Sequence, residues 1–395
     1  MTTDFLNVTT ILGDRGDVAI QQPAALGVRN QVLEPNNSMR RARRPPIVAA
    51  CFLLAGLALG LAARPNGAAA AEAAQVRIGI ARTMSDVGYY VADAMGYFRD
   101  EGIDVILTPF NSAAQMMAPL GVGDLDVGGG TVSAGFYNSV GRGIGTKIVA
   151  DQGSMKPGYG YSSLMVRKDL LDSGRYKTLA DLKGMKVAIG APGTGTASAL
   201  NQTLKMGGLK YGDVEVVYLG FPEHLPAFLN KGIDAAISNE PTMTLEIEQG
   251  AAVRIVGNDV TYPDQQTAVV FYSERFIKSR HDVAERFMRA YLRGIRLYND
   301  ALKDGRLAGP AADKIIPILT KYTSTKDAAM FRRIIPSAVN PDGEVNIAGL
   351  KRDLEFFREL GLIESKDVSA DGVVDGSFVK AAVARLGPYK AATGP

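Results

Sequence analysis

The chain has 395 residues, 44 Lys/Arg against 41 Asp/Glu, a formal net charge of +3 and a single cysteine. A charge so close to balanced, with no basic stripe, excludes a nucleic-acid-binding role. One thiol excludes disulfide frameworks and cysteine-built metal clusters, and the length calls for more than one core.

In chain order the first feature is Met39 to Ala74. Arg40, Arg41, Arg43 and Arg44 precede seventeen apolar or small residues, Ile47 to Ala63, which Arg64-Pro65 ends before the small-residue run Gly67 to Ala74. That is the layout of an export signal, with cleavage expected near Ala73 and Met39 as the expected start. Cys51 lies early in the apolar run, away from where a lipid anchor is attached, and Pro45-Pro46 departs from a twin-arginine signal. A retained anchor is the rival reading, because seventeen residues nearly span a bilayer. Removing residues 1–73 takes away seven Lys/Arg and five Asp/Glu and leaves 37 basic against 36 acidic residues. The expected product is thiol-free, nearly neutral and periplasmic.

From residue 74 short apolar runs alternate with helical patterns, the signature of βαβ units. VRIGIA is the first strand, GYYVADAMGYFRDEG a helix ending near Gly96 or Gly102, and IDVILTP the second strand. NSAAQMMAPLGVG is a helix, LDVGGG a strand, TVSAGFYNSVG a helix and TKIVADQ a strand. SSLMVRKDL leaves this unit, and TLADLKG opens a second series: KVAIG, GTGTASALNQTLKMGG, VEVVYLG, HLPAFLNKG, IDAAIS, PTMTLEIEQG and VRIVG. QTAVVFYSERFI reads as a return strand, and the remainder is helical with loops. GVGDLDVGGGTVS in the first series is echoed by NKGIDAAISNEPT in the second. The expected organisation is residues 1–73 as extension and signal, 74–167 and 267–395 as lobe 1, and 168–266 as lobe 2. The lobes are hinged by two crossings near residues 167 and 266.

In such sheets ligands sit outside the carboxyl ends of the strands, where helix N-termini offer unpaired N–H groups. Four turns and one strand end are candidates. The first turn offers Ser85, Gly88 and Tyr89, and the second Asn111 and Ser112. The third, after a triple glycine, offers Gly130, Thr131 and Ser133. The fourth is Gly193, Thr194, Gly195 and Thr196; Ser198 stands where a dinucleotide fingerprint needs glycine, and VEVVYLG ends without an acidic residue, so no cofactor is read there. Phe221 supplies an apolar wall, and Glu240 an acceptor that would favour an amine-bearing or neutral ligand over a purely anionic one. Each also has a bland reading as a cap, a core side chain or a solvated charge.

GYYVADAMGYFRDEGIDVIL, GVGDLDVGG, KTLADLKGMKVAIGAPGTGTASAL, LNKGIDAAISNEP and GEVNIAGLKRDLEFFRELGLI, in that order, resemble the solute-binding proteins of ABC importers related to sulfonate, taurine, nitrate and thiamine-precursor binders. The resemblance runs from about Val76 to Gly387. It implies an α/β chain of the type II periplasmic-binding-protein fold, with two lobes each carrying a central sheet flanked by helices. It also implies a monomer that captures a small solute and delivers it to an ABC permease with a cytosolic ATPase. A periplasmic sensor presenting its closed form to a receptor is the alternative.

No catalytic residue is assigned. HExxH and GxSxG are absent, and the two histidines fall in no metal or triad pattern. His224 reads as a solvated cap and His281 as surface.

Overall fold

The computed structural model describes residues 72–392 apart from residue 264; the export segment, with Met39 and Cys51, lies outside the described residues. Ten strands form two five-stranded mixed sheets: β1 (Ala74–Ile80), β2 (Ile103–Pro109), β3 (Val127–Gly130), β4 (Thr146–Ser154), β5 (Ser162–Arg167), β6 (Lys186–Ile189), β7 (Glu215–Tyr218), β8 (Ala235–Asn239), β9 (Ala252–Gly257) and β10 (Gln266–Ser273). The first sheet has the order β2-β1-β3-β10-β4 and the second β7-β6-β8-β5-β9.

The two orders are the same topology. In each, three parallel strands are followed by one antiparallel strand that arrives from the other lobe: β10 between β3 and β4, and β5 between β8 and β9. The internal echo has its physical basis here, since LDVGGG and IDAAIS supply the equivalent strands β3 and β8. The first crossing runs through residues 155–161 rather than near 167, because Ser162–Arg167 pairs with β8 and β9 and so belongs to the second sheet. The second crossing ends where β10 starts, at Gln266.

Helix Val87–Ala94 and the amphipathic helix His281–Asn299 cover the first sheet. Their interface is aromatic: Tyr89 lies 5.3 Å from Tyr291 and 6.1 Å from Phe287, which stacks on Phe98 at 4.8 Å. Such pairs add about 0.5–1.5 kcal/mol each beyond their buried area. The charged face of helix His281–Asn299 is pinned as well as solvated. Arg289 meets Glu101 at 2.6 Å, Arg293 meets Asp100 at 2.9 Å, and Arg296 meets Asp342 at 2.6 Å.

The C-terminal part is not confined to the first lobe. Helix Ile347–Glu359 brings Phe356 against Tyr211 of the second lobe, edge to face at 5.2 Å. Among the described residues no helix is long and apolar enough to cross a membrane.

Candidate functional site

The loop that follows β3 meets the loop that follows β6, and the expected site residues are distributed around these and the neighbouring turns. After β1 the chain turns through Arg82, a non-glycine residue held at φ 56°, a conformation that costs on the order of 1–3 kcal/mol. Asp86 fixes this turn. Its buried carboxylate accepts from the Ala81 and Thr83 N–H groups at 3.0 and 3.1 Å, from the Tyr90 hydroxyl at 3.1 Å and from Gln152 Nε2 at 3.1 Å. Burial pushes its pKa up to about 6 against the pull of those hydrogen bonds. Ser85 is half-buried on the turn, its hydroxyl 2.8 Å from that of Thr83.

Gly88 and Tyr89, expected on the same turn, take packing roles instead. A Cβ on Gly88 would fall 2.3 Å from Tyr291 Cε2 and 2.7 Å from Ile295 Cγ2, so glycine is what lets the two helices approach. Tyr89 is fully buried and its hydroxyl donates to the Gly128 carbonyl at 2.9 Å. Asn111 and Ser112 are exposed beyond β2, and Gln115 Oε1 accepts from the Asn111 N–H at 3.2 Å. Gly130 is buried at the end of β3, Thr131 is exposed beside it, and Ser133 caps the next helix by accepting from the Phe136 N–H at 3.3 Å.

From the second lobe, the loop after β6 meets this turn directly. The Ala134 N–H donates to the Gly193 carbonyl at 2.8 Å. Gly193 holds φ 61°, and a Cβ there would fall 2.9 Å from the Ala134 Cβ and 3.1 Å from Leu362 Cδ1. Gln265, on the second crossing, donates from Nε2 to the Gly195 carbonyl at 2.8 Å. Thr194 and Thr196 are half-buried with hydroxyls 3.0 Å apart, and Thr194 also donates to the Ala191 carbonyl at 2.8 Å. Phe221 is half-buried at the start of helix Phe221–Leu229, 5.6 Å from the His224 ring.

Glu240 does not offer a free acceptor. One oxygen accepts from the Thr244 N–H and hydroxyl at 3.1 and 2.7 Å, the other from the Ile335 N–H at 3.2 Å. Burial raises its pKa. Glu240, engaged on both oxygens, therefore gives no reason for the site to disfavour an anionic ligand.

His224 is fully buried, not a solvated cap. Its Nδ1 lies 2.9 Å from Ser238 Oγ and its Nε2 3.2 Å from the Leu219 carbonyl, while Ser238 Oγ lies 2.8 Å from Glu246 Oε1. Burial lowers the His224 pKa and pushes Glu246 up to about 8. With Glu246 protonated, protons can run Glu246 to Ser238, Ser238 to His224 Nδ1, and His224 Nε2 to Leu219, which leaves all three side chains neutral with only Glu246 Oε2 unpaired among them. The serine sits between the acid and the histidine, so the histidine has no orienting carboxylate and the order is not that of a nucleophilic triad. Among the described residues no group of three or more His, Cys, Asp or Glu side chains could hold a metal ion.

A cavity of about 270 Å³ lies beside the hinge, lined by Ser154, Lys156, Gln266, Asn340, Glu344 and Asn346 among others. None of the fourteen expected contacts lines it. Its residues come from both crossings and from the distant 340–346 loop, so no local sequence signal could have grouped them.

Two five-stranded mixed sheets of identical topology, exchanging one antiparallel strand each, define the periplasmic-binding-protein class of fold. Three comparisons agree. The family description "NMT1/THI5 like" matches residues 84–301. A Bacillus subtilis (strain 168) protein named "Putative aliphatic sulfonates-binding protein" is 26% identical over 353 residues, 85% of this chain and 95% of its own. The periplasmic aliphatic sulphonate binding protein SsuA from Escherichia coli superposes with a TM-score of 0.61 at 19% identity, covering 81% of this chain and 94% of that one. The periplasmic nitrate-binding protein NrtA from Synechocystis PCC 6803 gives 0.63 at 12% identity, covering 80% and 90%. The chain belongs to the NMT1/THI5-like family.

Proposed function

We propose that this protein is the periplasmic solute-binding component of an ABC importer, holding a small organic or inorganic solute between its two lobes and handing it to a permease unchanged. The observation that carries the reading is the meeting of the β3 and β6 loops, where Ala134 of one lobe bonds Gly193 of the other beside Thr131, Thr194 and Thr196. A polar solute placed there would touch both lobes, and only such differential contact can shift a hinge equilibrium toward the closed form. The candidate contacts are hydroxyls and helix N-terminal N–H groups. Such groups suit a sulfonate, carboxylate or nitrate oxygen and contribute roughly 0.3–1 kcal/mol per helix terminus, up to about 2 when partly buried. The names of the relatives, aliphatic sulfonate and nitrate binders, point the same way.

That the similar proteins are named as binding proteins supports a carrier rather than an enzyme. Export across the inner membrane rests on the Met39–Ala74 pattern and on the periplasmic relatives.

A thermal-shift screen with ethanesulfonate, taurine, benzoate and nitrate tests the proposal. A solute present at 100 times its Kd should add about 2.7 kcal/mol of stability. No shift with any of them, over a range reaching millimolar, would count against solute carriage.

A further inference from the structure

The segment from Arg333 to Leu362 has a role that a plain two-lobed carrier does not require. Its middle is fixed to the first lobe. Asp151 on β4 accepts from the Asn340 N–H at 2.6 Å and donates its own N–H to the Gly343 carbonyl at 2.8 Å. Ser154 donates its N–H to the Ala338 carbonyl at 2.9 Å, Gln266 Oε1 accepts from the Asn346 N–H at 2.8 Å, and the Tyr298 hydroxyl donates to the Ser337 carbonyl at 2.6 Å.

Both ends of the segment reach the second lobe, on opposite faces of its sheet. At the front end Ile335 packs on the cluster of Met165, Ala188, Ala236, Phe228 and Met243. Its N–H is held by Glu240, and Arg333 pairs with Glu248 at 3.0 Å. At the rear end Phe356 and Leu362 join the cluster containing Leu164, Val187, Ile237 and Leu200, and Leu362 abuts Gly193. Side chains alternate along a strand, so Leu164 and Met165, Val187 and Ala188, and Ala236 and Ile237 mark the two opposite faces.

We propose that residues 333–362 form a two-pronged fork, anchored on the first lobe, that straddles the second sheet and holds the lobes near this arrangement, so that opening requires the Ile335 prong to withdraw. The proposal rests on the hinged-carrier reading. The Ile335 prong is the one to release, since it has one main-chain hydrogen bond, one surface ion pair and one inserted side chain. The rear prong, by contrast, is a whole helix.

The test is an interlobe distance distribution from paired spin labels. In the full chain with Cys51→Ser, labels go on Val122→Cys in the first lobe and Met206→Cys in the second, both exposed. Ile335→Ala and, separately, Glu240→Ala should raise the longer-distance fraction at least threefold without solute, while Arg332→Ala, whose ion pair with Asp313 stays within the first lobe, should leave it unchanged. If Ile335→Ala fails to fold, Glu240→Ala decides alone. Unchanged distributions in the folded variants overturn the fork, even if ethanesulfonate or taurine stabilises the wild type. Broadened distributions in a protein that binds none of the probes uphold the fork and remove the solute reading.

Discussion

The main-chain N–H of Ala134 and the carbonyl of Gly193, 2.8 Å apart, join the two lobes at the point where their strand-end loops meet. The contact needs a residue without a side chain at 193, both for the left-handed φ of 61° and for the Ala134 methyl that occupies the space a Cβ would need.

Gly193→Ala should therefore impair closure more than folding. The backbone conformation costs about 1–2 kcal/mol for alanine, and the clash with Ala134 falls only on the closed form. Binding of the solute identified by thermal shift should weaken at least tenfold, or about 1.4 kcal/mol, in a titration at constant temperature.

Gly88→Ala should do the opposite. The new methyl enters the contact between helices Val87–Ala94 and His281–Asn299, where overpacking costs typically 1–3 kcal/mol. Chemical denaturation should show the loss, and the solute affinity of the folded fraction should stay within about twofold, a change worth only ~0.4 kcal/mol. A normal stability with lost affinity would return Gly88 to the binding turn.

Glu246 makes stability depend on pH above neutrality. Its folded pKa, about 8, exceeds the ordinary 4.5, so between those values the folded protein binds a proton the unfolded chain does not, and stability falls as pH rises. Burial raises Asp86 and Asp353 only to about 6, and their contribution changes below that. His224, whose folded pKa is lowered, acts in the opposite sense and only below its unfolded value of 6.5. Burial raises Asp151 and Glu240 as well, so across the window from pH 6.5 to 8 the Glu246 share is read from the difference between wild type and variant. Glu246→Gln should flatten urea-melt stabilities across it and raise stability at pH 7, by up to about 3 kcal/mol. An unchanged slope would mean the carboxyl is not protonated in the fold.

The strands and the repeat were legible because they are local. Alternation and apolar length mark IDAAIS and QTAVVFYS wherever they pair, and the matched spacing of LDVGGG and IDAAIS reports two copies of one design. The partner of SSLMVR was not legible, since a buried strand reads the same whichever sheet accepts it. The turns were found, but not which way their residues face. Gly88 and Tyr89 are claimed by Tyr291 and Phe287 of a distant helix, Glu240 by the main chain of Ile335, and His224 by Ser238 and Glu246. None of those partners leaves a mark in the residues beside the turn.

The central claim is a solute site shared between lobes, and one threonine from each lobe tests it. Calorimetric titration of the wild type, Thr131→Ala and Thr194→Ala with the solute that most raises the melting temperature should show 1:1 binding. Each variant, still folded, should bind at least about fivefold more weakly, the loss of roughly one hydrogen bond. Wild-type affinity in both variants would contradict a site at the meeting of these two loops.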